Sequence, residues 1–172
     1  MKIKPNKMLG RFKKNTLISI VSSKKDFSLE FLKWGMKDGK NCVFVSTNVD
    51  KKVTENELKE ILINNDVDSR IRFIDCSGRK HSLNVYISNL KNLSHLNVVL
   101  TQSLADLMSS ESRICILDSL SEIEENNKPE DLFKFIEILT DIAKKYDTTT
   151  LLFSDKESKK LKNFMDKVIL IE

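Results

Sequence analysis

Asp118 and Ser119 follow directly on Ile114, Cys115, Ile116 and Leu117 in the stretch RICILDSL. An apolar run with no polar face suits a central strand of a parallel sheet, covered by helices on both sides. The carboxyl ends of such strands are where open α/β sheets bind ligands. A carboxylate at that edge can hold magnesium against a phosphate. The same carboxylate can instead cap the turn or helix that follows it. Asp75 likewise ends the expected strand 71–74 and leads into Cys76, Ser77 and Gly78. The other polar residues placed for chemistry follow the first apolar run, where Ser22, Ser23, Lys24, Lys25, Asp26 and Ser28 precede a helical pattern.

Other constellations are thin. Cys42, Cys76 and Cys115 stand singly, each in or at the end of an expected strand, with no Cys-x-x-C or Cys/His spacing. They indicate neither zinc nor a disulfide framework, and read as small buried residues in a reducing compartment. His81 and His95 have no partner at metal-ligand spacing, and no Ser/His/Asp or Cys/His nucleophile motif is present. An acidic receiver pocket needs carboxylates after its first strand, where Ser22 and Ser23 stand. Trp34 and Phe31 sit at helical spacing and are expected to pack rather than stack on a base.

The elements that must position these groups can be read in order. Strands are expected at 16–21, 42–45, 71–74, 114–117, 148–153 and 168–171. Helices are expected at 27–37, closed by Gly39, at 54–64 with a Thr54/Glu57 capping box, at 93–108, and at 130–146 behind Pro129. Leu96, Val99, Leu100, Leu104 and Leu107 form the inward stripe of the third helix. Leu132, Phe135, Ile136, Leu139, Ile142 and Ala143 form that of the fourth. A short basic helix is expected at 157–164, an acidic loop through Glu122, Glu124 and Glu125, and either a loop or an edge strand within 79–91. Strands alternating with helices give an α/β three-layer domain around a mostly parallel sheet. The division is a basic lead-in over 1–15 and one domain over 16–172.

The chain has 172 residues, 31% charged, with a net charge of +4, four Gly and two Pro. That size suits one domain with a real core. The charge is too small to argue nucleic acid by itself. Only Lys2, Lys4, Lys7, Arg11, Lys13 and Lys14 form a dense basic segment. With no apolar run near membrane-spanning length and no signal-peptide pattern, a cytoplasmic protein is expected.

In that order, the segments TLISIV…SLEFLKWGMKDGKNCVFVST, RIRFIDCSG, RICILDSLSEI, DLFKFIEILTDIAKKYDTTTLLF and LKNFMDKVILIE resemble a RecA-like ATPase core of the P-loop NTPase type. The resemblance is closest to the KaiC-like branch in archaea, and within it to small, degenerate, HTR-like members that have lost the ATPase motifs. It implies that RICILD is the Walker B strand, with Asp118 and Ser119 on magnesium and nucleotide. It also places Ser23, Lys24, Lys25 and Ser28 in the phosphate loop, in vestigial form.

Where the chain departs from the pattern, function is in question. A working phosphate loop needs Gly so that backbone N–H groups can approach the phosphates, with Lys and Ser/Thr at its end. Residues 22–28 contain no Gly and are too short for GxxxxGK[ST], and Asp26 places a carboxylate where a phosphate would sit. The glutamate pair that the family carries after its second strand is matched by Asn48 and Val49, neither a general base. The resemblance therefore implies a pseudo-ATPase: no catalytic residue, no obligatory cofactor, and a regulatory role through a protein partner or homo-oligomer. One alternative is ATP and magnesium held by a non-standard loop, through Lys24 or Lys25 and Asp118. Another is nucleic-acid binding by the basic arm with Lys156, Lys159, Lys160 and Lys162.

Overall fold

The computed structural model describes residues 15–23, 27–47, 70–76, 85–107 and 113–171. Its strands are β1 (Leu17–Ser22), β2 (Asn41–Ser46), β3 (Ile71–Asp75), β4 (Val85–Ile87), β5 (Arg113–Leu117), β6 (Thr148–Ser154) and β7 (Lys167–Ile171). Its helices are α1 (Phe27–Lys37), α2 (Leu93–Ala105), α3 (Leu120–Asn126) and α4 (Pro129–Lys145). The strands form one sheet in the order β4-β3-β2-β5-β6-β1-β7. Every adjacent pair is parallel.

Successive side chains of a strand point to opposite faces, and this splits the apolar runs between two cores. Ile114 and Ile116 join Ile18, Ile20, Phe44, Phe153 and the α1 residues Phe31 and Leu32. Cys115 and Leu117 join Val43, Val45, Leu152 and the inner faces of α2, α3 and α4. The division of helices follows from topology. From β1 to β4 the chain moves toward one sheet edge, and from β4 to β7 it moves back. Crossovers of one hand then place α1 on one face and α2, α3 and α4 on the other.

Local chemistry sets the helix ends. After α1, Gly39 adopts φ 76°, Lys40 N donates to Gly35 O at 2.9 Å and Gly39 N to Met36 O at 3.2 Å. This paired closure uses the left-handed conformation that glycine adopts without strain. Within α1, a Cβ on Gly35 would lie 3.2 Å from both Cys42 Sγ and Ile114 Cδ1, so the missing side chain lets the helix sit close on β2 and β5.

Two expected elements are corrected. The acidic stretch through Glu122, Glu124 and Glu125 is not a loop but helix α3. Ser119 caps it by accepting from Glu122 N at 3.3 Å, while Leu120 and Ile123 are buried. The expected basic helix over 157–164 is reduced to a 3-10 turn at Lys162–Phe164. Leu161 is its one fully buried anchor, so no apolar stripe supports a longer helix. α2 also stops at Ala105 rather than running to 108. Within 79–91 the strand alternative holds, with β4 at the sheet edge. The expected helix over 54–64 and, but for Asn15, the lead-in over 1–15 lie outside the described residues. Trp34 is half-buried, with Lys40 Nζ 5.5 Å from its ring centroid. No helix among the described residues is long and apolar enough to cross a membrane.

Candidate functional site

The carboxyl ends of the strands gather the polar residues at one edge. β2 passes the chain toward β3 and β5 passes it toward β6, so these two neighbours hand it on in opposite directions. Such a point opens the crevice in which parallel sheets bind ligands. At this point the ends of β2 and β5 are bonded to each other. Asp118 accepts from Thr47 N at 3.0 Å through Oδ1 and at 3.1 Å through Oδ2. Its Oδ1 also accepts from Thr47 Oγ1 at 3.0 Å. Thr47 is 3% exposed, whereas Asp118 is half-buried.

Backbone bonds extend the ladder past the strand ends on both sides. Asp118 N donates to Val45 O at 3.1 Å, Cys76 N to Ser46 O at 2.8 Å and Ser88 N to Asp75 O at 2.9 Å. Asp118 therefore does not cap the following helix, which Ser119 does, but clasps β5 to β2. Its charge is felt nearby. Burial, then the carboxylates of Asp118 and Asp75, push the Cys76 thiol up to about 12.

A second set of bonds fixes the segment after β6. Ser121 Oγ donates to the Asp155 carboxylate, and this bond holds the Asp155 carboxyl below its usual range. Ser158 Oγ donates to the Glu124 carboxylate, and Lys156 pairs with Glu125 at 3.4 Å. Helix α3 is thereby stitched to the β6–β7 connection.

Of the expected phosphate-loop residues, Ser23 and Ser28 lie at the same edge. Ser23 is exposed just past β1, and Ser28 is buried in the first turn of α1. Lys24, Lys25 and Asp26 lie outside the described residues, as do Asn48, Val49 and His81. Strand β6 separates β1 from β5. At about 4.8 Å per strand spacing, the ends of β1 and β5 stand roughly 10 Å apart. The hydroxyls of Ser28 and Ser154, both buried, have no hydrogen-bond partner. His95 is exposed and shares a hydrogen bond with Ser88 Oγ at 3.2 Å through Nδ1. The three cysteines are free and buried. Among the described residues no group of three or more His, Cys, Asp or Glu could hold a metal ion.

Thr47 is the residue that sequence reasoning missed. Its only signal was a hydroxyl directly after an apolar strand. Its pairing with Asp118 depends on β2 and β5 being neighbours.

Comparison with known proteins agrees with this architecture. A search of curated proteins returns no match. A family model described as the KaiC ATPase matches residues 9–169, nearly the whole chain. The alternating strands and the parallel sheet have their explanation there: the chain belongs to the KaiC ATPase family.

Proposed function

We propose that this KaiC-like domain is a non-catalytic module, an ATPase fold kept for regulation or for contact with a protein partner. The observation that carries this reading is the clasp between Asp118 and Thr47. A carboxylate that accepts from one backbone N–H and one hydroxyl has most of its acceptor capacity turned into the protein. Magnesium demands octahedral oxygen ligands and keeps its waters, binding through carboxylates together with substrate phosphates. A single engaged carboxylate is a poor donor set for it. The sequence supports the same conclusion, with no Gly over 22–28 and no carboxylate at Asn48 or Val49.

One observation favours a second reading, in which the start of α1 holds the phosphates of a nucleotide. Ser28 is 1% exposed and its hydroxyl has no partner, at a helix N-terminus that attracts anions. Of the C-terminal lysines considered for nucleic acid, Lys156 pairs with Glu125 and Lys162 with Glu157.

Thermal-shift titration with Mg-ATP and Mg-ADP tests the proposal, alongside a phosphate-release assay. A ligand at a hundredfold excess over Kd stabilises the native state by about 2.7 kcal/mol. For a chain of this size that is a rise of roughly 5–10 °C. The expected result is no shift at millimolar nucleotide and no turnover. A saturable shift without turnover, lost in Ser28→Ala, would establish the second reading. Turnover would overturn the first.

A further inference from the structure

We propose that the outer face of α2 and α4 is the contact surface of a homodimer, built on a two-fold axis beside Val98 and Ile138. The inference concerns a surface away from the Asp118 clasp and does not depend on whether nucleotide binds.

Among the described residues the exposed large hydrophobics are Val98 at 62%, Ile138 at 45% and Leu170 at 65%. Val98 and Ile138 lie on α2 and α4, which pack against each other in one layer. A surface helix normally presents charged residues outward. α2 reads LSHLNVVLTQSLA and contains no Asp, Glu, Lys or Arg; its exposed positions are Ser94, His95, Val98 and Gln102. Loss of charge at the centre of a patch is the compositional mark of an interface. Next to Ile138 a groove of about 230 Å³ opens between the two helices, lined by the charged Lys91, Asp131 and Lys134 as well as by Leu93, Asn97 and Phe135.

The charges identify the occupant. One exposed stripe of α4 reads Asp131, Lys134, Ile138, Asp141, Lys145, at spacings of three and four residues. Counting outward from Ile138, Lys134 is answered by Asp141 and Asp131 by Lys145, opposite in sign each time. A two-fold axis across the helices reverses their direction and sets each of these four α4 charges against its opposite in the second copy. Parallel packing of the same face would set like against like. The antiparallel arrangement also opposes the helix dipoles.

The face is small. Thirteen residues of α2 span about 20 Å, and two helices side by side present on the order of 400 Å², about half of a standard interface side. The dimer is therefore weak and weakens further with salt.

Sedimentation velocity on the full chain, from low micromolar to submillimolar at low salt, tests this. The expected result is concentration-dependent dimer formation, abolished by Val98→Glu. Lys134→Asp or Asp141→Lys alone, each breaking two symmetry-related pairs, raises Kd about tenfold. The double variant K134D/D141K restores it, because the reversed charges meet again across the axis. All three positions are exposed, so the variants keep the fold, and circular dichroism verifies this. A monomer at every concentration would overturn the proposal. So would a dimer indifferent to Val98→Glu, or a double variant that fails to recover.

Discussion

Asp118→Ala separates a structural clasp from a ligand-binding carboxylate. The substitution leaves the N–H and hydroxyl of Thr47 without their acceptor, in a residue that is 3% exposed. An orphaned buried donor costs about 1–3 kcal/mol. Asp118 itself is half-buried, so water can follow the lost carboxylate, which favours the lower half of that range for each donor. The sum is about 3 kcal/mol. For a domain of this length 1 kcal/mol corresponds to roughly 2–4 °C, so Tm should fall by about 6–12 °C. Thr47→Val removes one donor while keeping the shape, and should cost about 1 kcal/mol. In the double variant the hydroxyl bond is lost only once, so the two costs should fall short of additive by about 1 kcal/mol. Urea unfolding followed by the fluorescence of the single tryptophan, Trp34, gives all four values. An unchanged or raised stability for Asp118→Ala would refute the reasoning, because groups held ready for a ligand commonly cost stability.

Two further outcomes are expected. The hydrogen bond that Tyr86 donates to Asp106 raises the tyrosine's pKa above its ordinary value. A raised native pKa stabilises the fold fully below the unfolded pKa, and the contribution is lost as pH climbs through the native one. Spectrophotometric titration of the phenolate should therefore show one tyrosine moving to lower pH in Asp106→Asn. Burial likewise pushes the thiols of Cys42, Cys76 and Cys115 up to about 12. They should resist a thiol reagent until the chain unfolds. Above about pH 9 unfolded thiols ionise while native ones do not, so stability falls by about 1.4 kcal/mol per pH unit for each thiol. Cys115→Ala should make that fall correspondingly shallower in denaturant titrations.

The framework was legible because burial writes itself into sequence period. Leu132, Phe135, Ile136, Leu139, Ile142 and Ala143 are the buried residues of α4, as their helical spacing indicates. The two-sided apolar run of β5 marks it as a central strand. What resisted reading was held by single polar contacts. The acidic stretch after Ser119 folds as α3 because of one cap and two buried apolar residues, a signal weaker than its run of charges. The basic segment after Glu157 lacks the stripe that would have made it helical. The clasp was illegible for another reason. Thr47 and Asp118 are 71 positions apart, and no local pattern states that β2 lies beside β5.

The placement of β1 has a consequence for how the chain acquires its structure. Its neighbours are β6 and β7, the last strands in sequence, and Leu17 N donates to Asp166 Oδ2 at 2.7 Å across a separation of 149 residues. During synthesis from the N-terminus, β1 emerges long before either neighbour exists, with Ile18 and Ile20 unprotected. Contacts of such long range close slowly, because the entropy of the loop is lost before the pairing can compensate it. β2, β3, β4 and β5 can pair among themselves first, leaving β1 to be captured only when β6 and β7 arrive. A chain cut short before Thr148 has no strand on either side of β1, and so carries an exposed apolar strand that invites aggregation.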